Sequence, residues 1–212
     1  MECWLMTEYY KDFNKYVSRK RWMSYWHQVK EVLDTQPKSV LLIGIGNGII
    51  PAILKEKGIQ VYTFDNDESL SPDFCGDLRN IETILSGWRF DTILCCQVLE
   101  HIEFTYFERT LRFFETIVNN NVILSLPHCH IAFYCWLCVP LLKNAEFRII
   151  IPSFWIKKCF FNREHKWEVG MRNYSRSKIV SIISPLYDIQ SIYFATLNPY
   201  HLFFILKKKV RK

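Results

Sequence analysis

Between Ser39 and Asp67 the chain reads SVLLIGIGNGIIPAILKEKGIQVYTFDND. No other stretch restricts the fold as tightly. An apolar run, Val40 to Ile43, meets a glycine cluster, Gly44-Ile45-Gly46-Asn47-Gly48. A helix-compatible segment continues to Gly58, and a second apolar run, Ile59 to Phe64, ends in Asp65. Strand, glycine turn, helix, strand and acid in that order predict a parallel βαβ unit. Glycine has no side chain and tolerates positive φ, so the backbone at such a turn can approach a ligand closely. The helix after it starts with unpaired N–H groups. Pro51 falls in the first turn of that helix, where a missing N–H costs little.

The spacing of the glycines is informative. A dinucleotide turn, G-x-G-x-x-G, wants glycine at position 49, and Ile49 stands there. The pattern is G-x-G-x-G, which disfavours a nucleotide-dependent oxidoreductase and leaves a purely structural turn as the plain alternative. Asp65, at the end of the second strand, can accept hydrogen bonds from both hydroxyls of a ribose. Asp77 follows a short third strand predicted near Asp73 to Cys75. It can meet an adenine amino group or cap the helix expected at Ile81 to Ser86.

The pattern continues as strands at Phe90 to Cys96 and Val122 to Leu126, with a helix from Phe104 to Val118 between them. FDTILCC is continuously apolar, as in a parallel strand buried on both faces. Phe107, Leu111, Phe114 and Val118 form one helical stripe. Upstream, Thr7 to Leu33 carries aromatic residues at helical spacing and predicts one or two helices leading into the first strand. After Pro127 the regularity breaks. His128 to Arg172 is aromatic and proline-interrupted, and reads as an irregular insertion over one end of the sheet. A helix at Ser175 to Ser184 follows. Two apolar runs, Ile189 to Ala195 and His201 to Lys207, flank the turn signal Asn198-Pro199 and predict an antiparallel pair at a sheet edge. The expectation is one α/β domain over residues 1–212: a lead-in at 1–36, a core at 37–127, an insertion at 128–172, a C-terminal helix and edge strands at 173–207, and a basic tail at 208–212. The sheet is doubly wound and mostly parallel.

Half of the 212 residues are hydrophobic, enough for a full core without covalent staples. Several of the eight cysteines sit in apolar runs and read as buried thiols. The N-terminal residues lack a basic segment followed by an apolar one, so no leader is expected and the protein reads as cytoplasmic. Ile131 to Leu142 is apolar but too short to span a bilayer, and it contains Pro140. The net charge is +6, and Lys207, Lys208, Lys209, Arg211 and Lys212 account for five of those charges. That tail reads as solvated, with a weak membrane-surface contact as the sharper alternative. Elsewhere no basic aromatic stripe appears, so no nucleic-acid partner is expected.

Val40 to Asp67, Gly76-Asp77-Leu78, Phe90 to Ile102 (FDTILCCQVLEHI) and Val122 to Pro127 (VILSLP) together resemble the class I S-adenosylmethionine-dependent methyltransferases, a family of Rossmann-like fold. Gln97-Val98-Leu99-Glu100-His101-Ile102 is similar to its small-molecule branch, as is the lead-in Tyr25-Trp26-His27-Gln28. Glu164-His165-Lys166-Trp167-Glu168-Val169-Gly170, followed by Tyr174-Ser175, resembles a segment of some relatives. The resemblance implies S-adenosyl-L-methionine as cofactor and a small-molecule or lipid-like acceptor. It implies that Gly44, Ile45, Gly46, Asn47 and Gly48 line the methionine and ribose, that Asp65 holds the ribose hydroxyls with Asn66 beside the adenine, that Asp77 and Leu78 meet the adenine edge, and that Gln97 and Val98 pass under the cofactor. The family usually has an acid two residues before the first glycine, where this chain has Leu42.

A methyl transfer needs a general base only when the nucleophile is protonated and poorly acidic. His101 and His165 are the candidate catalytic groups, with His128 and His130 as alternatives and a packing role as the plain reading of each. His128, Cys129, His130, Cys135 and Cys138 invite a zinc reading, but a second well-spaced ligand pair is missing and no metal is expected. The apolar load from Phe133 to Phe161 reads as core of a lid, or as an apolar acceptor or membrane face. A non-catalytic relative that keeps the fold as a binding or scaffolding module is the rival reading.

Overall fold

The computed structural model describes residues 12–137, 145–152 and 164–210. Two helices lead in: α1, Phe13–Tyr16, and α2, Arg19–Asp34. The Ser18 hydroxyl caps α2 by accepting from the Arg21 N–H. The core then alternates as β1 (Ser39–Ile43), α3 (Ile49–Glu56), β2 (Gln60–Asp65), β3 (Phe74–Cys75), α4 (Ile81–Ile84), β4 (Phe90–Cys96), α5 (Thr105–Ile117) and β5 (Val118–Pro127). A hairpin, β6 (His130–Leu137) and β7 (Ala145–Pro152), precedes α6 (Arg176–Ile183), β8 (Tyr187–Ala195) and β9 (Asn198–Lys208).

Seven strands make one sheet in the order β3-β2-β1-β4-β5-β9-β8. The first five are parallel, and β9 runs antiparallel between β5 and β8. The doubly wound sheet with an antiparallel edge pair is therefore as the sequence predicts. Side chains alternate across each strand and so feed two cores. Leu41, Ile43, Ile93 and Leu124 face α5 and α6, whose Phe107, Leu111, Phe114 and Ile179 complete that core. Val40, Leu42, Leu94 and Ile123 face α2 and α3, meeting Tyr25, Val32, Ile50 and Leu54. Strands covered on both faces have no polar side to show, hence their continuous apolar runs.

Several boundaries differ from expectation. The strand expected from Val122 begins earlier, directly at the α5 C-cap, Val118, so Asn119 to Asn121 are extended. One additional residue there shifts the β4–β5 register between Phe90 and Thr92, a bulge that absorbs the polar triplet. The β8–β9 turn lies at Thr196 and Leu197, the latter at φ +59, rather than at Asn198-Pro199. Asn198 instead begins β9, with its side-chain amide donating to the Ser24 hydroxyl at 2.8 Å. The insertion is not wholly irregular: β6 and β7 pair antiparallel from His130–Pro152 to Leu137–Ala145. The apolar stretch Phe133 to Phe161 lies largely outside the described residues. The basic tail is partly engaged, with the Lys208 and Lys209 ammonium groups donating to the carbonyls of Val118 and Ser184 at 2.8 and 2.6 Å. No helix among the described residues is long and apolar enough to cross a membrane.

Candidate functional site

A cleft of about 1040 Å³ opens at the C-terminal ends of β1, β2 and β4. In a doubly wound sheet this is where crossovers leave toward opposite faces and the strand ends are uncovered. The cleft takes in Gly44 to Asn47, Asp65 to Asp67, Gly76 to Arg79 and Cys96 to Val98, then continues to His101, Glu164, His165, Tyr200 and His201.

The turn after β1 is built tightly. The Gly44 N–H donates to the Phe64 carbonyl at 2.9 Å, extending the β1–β2 ladder into the turn. Gly44 has φ +83, and a Cβ there would lie 2.6 Å from Val98 Cγ2. Only glycine fits both the dihedral and that neighbour. Gly48 is the N-cap of α3 at φ +78. Asn47 Oδ1 accepts from the Tyr25 hydroxyl at 3.1 Å, so the lead-in helix α2 pins the turn.

Asp65 is held rather than free. Its Oδ2 accepts from the Ile45 N–H at 2.7 Å and its Oδ1 from the Asp67 N–H at 3.0 Å. Each carboxylate oxygen keeps a second acceptor position. Asp77 does cap a helix, though not the one expected at Ile81, whose N-cap is Asn80. It caps a one-turn 3₁₀ helix, Leu78–Asn80, by accepting from the Arg79 N–H at 2.8 Å, and it pairs with the Arg79 guanidinium, whose Nε lies 2.9 Å from both oxygens. That pairing holds the Asp77 carboxyl below the usual carboxylate range. Gln97 sits at φ +57 directly after β4, an uncommon conformation for a residue with a side chain. The Gln97 N–H donates to the Ser125 carbonyl at 2.9 Å and its amide to the Ser125 hydroxyl at 3.1 Å, which fixes the kink. Leu42, where the resemblance expects an acid, is buried in the α2–α3 core and also lines the cleft.

The two candidate catalytic histidines come together from distant parts of the chain. His101 ends a 3₁₀ turn, Leu99–His101, and its ring meets that of His165 edge to face at a centroid distance of 4.9 Å. Burial pushes His101 down to about 4, and its neighbour His165 adds to the shift. The segment carrying His165 is anchored behind the cleft. Trp167 is fully buried between Phe104 and Phe107 and donates from Nε1 to the Ile102 carbonyl at 3.0 Å. Trp167 thus serves as an anchor and not as a cleft wall. The Lys166 N–H donates to the Glu100 carbonyl at 2.9 Å. His128 and His130 bond each other through their Nδ1 atoms at 2.9 Å and do not line the cleft.

Three functional-site groups were not singled out in the sequence. Glu100 is fully buried beside His101, and burial lifts its carboxyl to about 8, with the Glu168 charge adding to the rise. Glu168 Oε1 accepts from the Tyr200 hydroxyl at 2.6 Å and lies 3.0 Å from His165 Nδ1. The repeated pairing of Glu with His, at Glu100-His101 and at His165-x-x-Glu168, was the available signal. Nothing local marks Tyr200, which arrives through the β9 pairing.

No protein-family model and no curated protein sequence matches the chain. Solved structures do. The N-methyltransferase NodS from Bradyrhizobium japonicum WM9, in complex with S-adenosyl-L-homocysteine, superposes with a TM-score of 0.65 over 98% of this chain and 96% of that one, at 8% identity. The chain has the class I S-adenosylmethionine-dependent methyltransferase fold. Magnesium protoporphyrin IX methyltransferase (ChlM) from Synechocystis PCC 6803, with bound S-adenosylmethionine, gives 0.58 over 99% and 98% at 13% identity. The 1,6-didemethyltoxoflavin-N1-methyltransferase of Burkholderia thailandensis, with its acceptor and S-adenosylhomocysteine bound, gives 0.55 over 91% and 82% at 12% identity.

Proposed function

We propose that the protein is an S-adenosylmethionine-dependent methyltransferase acting on a small-molecule or lipid-like acceptor. The observation that carries this reading is the cradle formed by Gly44 and Asp65: a side-chain-free turn closed against Val98, beside a carboxylate whose oxygens each retain an acceptor position. The residues fit the cofactor. Among the described residues, a Cβ on Gly46 or Gly48 would meet nothing nearer than the Tyr16 hydroxyl at 3.6 Å, so the turn leaves room for a ligand against its backbone. Asp65 would take the ribose hydroxyls, and Asn66 and Leu78 would flank the adenine. With the Asp77 carboxylate engaged by Arg79, the adenine edge falls to the backbone at Leu78. With Leu42 apolar, the methionine amino group needs backbone carbonyls of the turn. Gln97 and Val98 would form the floor.

The cofactor, when bound, supplies a methyl group made electrophilic by its sulfonium. The chain then has to align an acceptor in line with the carbon–sulfur bond and keep water out. His101 and His165 are the acceptor-side groups, at the far end of the same cleft. Structural neighbours that act on small molecules, such as the toxoflavin-precursor enzyme, support a small acceptor.

Transfer of isotopically labelled methyl groups from S-adenosylmethionine to a panel of small amines, phenols and lipid headgroups tests this. Turnover that falls in Asp65→Ala is the expected result. Binding of the cofactor without turnover on any acceptor would favour the scaffolding rival.

A further inference from the structure

We propose that Glu100, His101 and His165 form a site for one divalent transition-metal ion of zinc type at the acceptor end of the cleft. Each offers one ligand atom, and the three atoms lie within 4.8 Å of one another. Around a tetrahedral ion with bonds of about 2.0–2.2 Å, ligand atoms stand about 3.4 Å apart. Glu100 Oε1 and His165 Nε2 are 3.8 Å apart, so sub-ångström side-chain adjustment brings this pair to ligation distance.

The second line of support is electrostatic. Glu100 is fully buried, and among the described residues neither of its carboxylate oxygens has a hydrogen-bond partner. Buried carboxylates are ordinarily bonded or paired, because desolvation without a partner costs several kcal/mol. A cation between Glu100 and the two imidazoles supplies the missing partner.

The histidine tautomer points the same way. His165 Nδ1 lies 3.0 Å from Glu168 Oε1, and a carboxylate only accepts. With the ring proton on Nδ1, donated to Glu168, Nε2 presents a lone pair toward Glu100, 3.8 Å from Oε1. The Tyr200 hydroxyl, donating to the same Glu168 oxygen at 2.6 Å, holds that carboxylate in place. A ligating histidine whose other nitrogen donates to a carboxylate or a carbonyl is the usual arrangement around protein-bound zinc. Two imidazoles and one carboxylate favour a borderline ion over magnesium or calcium, which prefer oxygen alone. Three protein ligands leave a position open, and His101 and His165 line the cleft, so that position is available to an acceptor oxygen or nitrogen.

The assignment deepens the acceptor side of the proposed function but stands on side-chain placement alone. Its test is therefore metal binding, measured without cofactor. Chelator-treated full-length chain is titrated with cobalt(II) as a spectroscopic surrogate and dialysed against zinc for metal analysis. The expected result is one equivalent bound at micromolar metal, with weak d–d absorption of a nitrogen–oxygen site. Glu100→Gln and His165→Ala should lose it while keeping the wild-type circular dichroism. Glu168→Gln, acting through His165, should weaken it about 10–100-fold. Absence of stoichiometric metal in the wild type overturns the proposal, with no variant needed. So does intense thiolate-to-cobalt charge transfer, or retention of metal by Glu100→Gln. Calorimetry with S-adenosylhomocysteine on the same samples reports separately on the cofactor reading.

Discussion

Gly44 offers the most quantitative check on how the cleft is built. Replacing it with alanine places a Cβ 2.6 Å from Val98 Cγ2 at a φ of +83. The dihedral alone costs an L-residue about 1–2 kcal/mol. The contact adds the cost of overpacking, about 1–3 kcal/mol, since a valine side chain has few alternative rotamers. Together these give about 2–5 kcal/mol, or a drop in Tm of about 4–20 °C for a chain of this size. The two contributions are separable. In Gly44→Ala/Val98→Ala the offending methyl is gone and the nearest remaining side-chain atom is the residue 98 Cβ at 4.0 Å, an ordinary contact. The steric part should vanish and the dihedral part remain, so a double-mutant cycle read by denaturant unfolding should show a favourable coupling of about 1–3 kcal/mol. Strictly additive effects, or a Gly44→Ala chain as stable as the wild type, would refute the proposed packing of the turn against Val98.

Other outcomes follow from the lead-in helix and the anchor. His27 is buried, its Nε2 accepts from the Thr196 N–H at 2.9 Å, and burial pushes it down to about 4. The native chain thus holds neutral His27 while the unfolded chain protonates it near 6.5, so its contribution is intact above that pH and is lost as pH falls from about 6.5 to 4. In His27→Gln the pH slope of unfolding free energy in that window should flatten by up to about 1.4 kcal/mol per unit, and an unchanged slope would count against the assignment. Trp167→Phe removes the donor to the buried Ile102 carbonyl and should cost about 1–3 kcal/mol in urea unfolding. Tyr25→Phe frees Asn47 from α2 and should weaken S-adenosylhomocysteine binding by about 0.5–1.5 kcal/mol in a calorimetric titration, with the melting temperature changing little.

The sheet was legible because its central strands are buried on both faces, and that demand writes itself as uninterrupted apolar runs at Val40 to Ile43 and Phe90 to Cys96. The glycine turn was legible because positive φ and close approach leave no other residue type. Legibility ended where long-range pairing decides. Asn119 to Asn121 are polar and lie before the strand expected at Val122, yet pairing with β4 recruits them into a bulged strand. Asn198-Pro199 carries a turn composition, but pairing with β8, where Asn198 stands opposite Ala195, draws it into β9 and moves the turn upstream. At the site, Asp65 was readable from its place after β2. The approach of Glu100 to His165, and of Tyr200 to Glu168, was not, because separate elements meet there and no spacing encodes it. Asp77 was read locally as a cap, but of the helix at Ile81; it caps the 3₁₀ turn before that helix and pairs with Arg79 two residues on.

Isothermal titration with S-adenosylmethionine and with S-adenosylhomocysteine tests whether the cleft binds the cofactor. The prediction is micromolar binding of both by the wild-type chain, weakened at least about tenfold in Asp65→Ala through loss of hydrogen bonds to a charged acceptor. No detectable binding of either compound, or equal affinity in the Asp65 variant, would contradict the account.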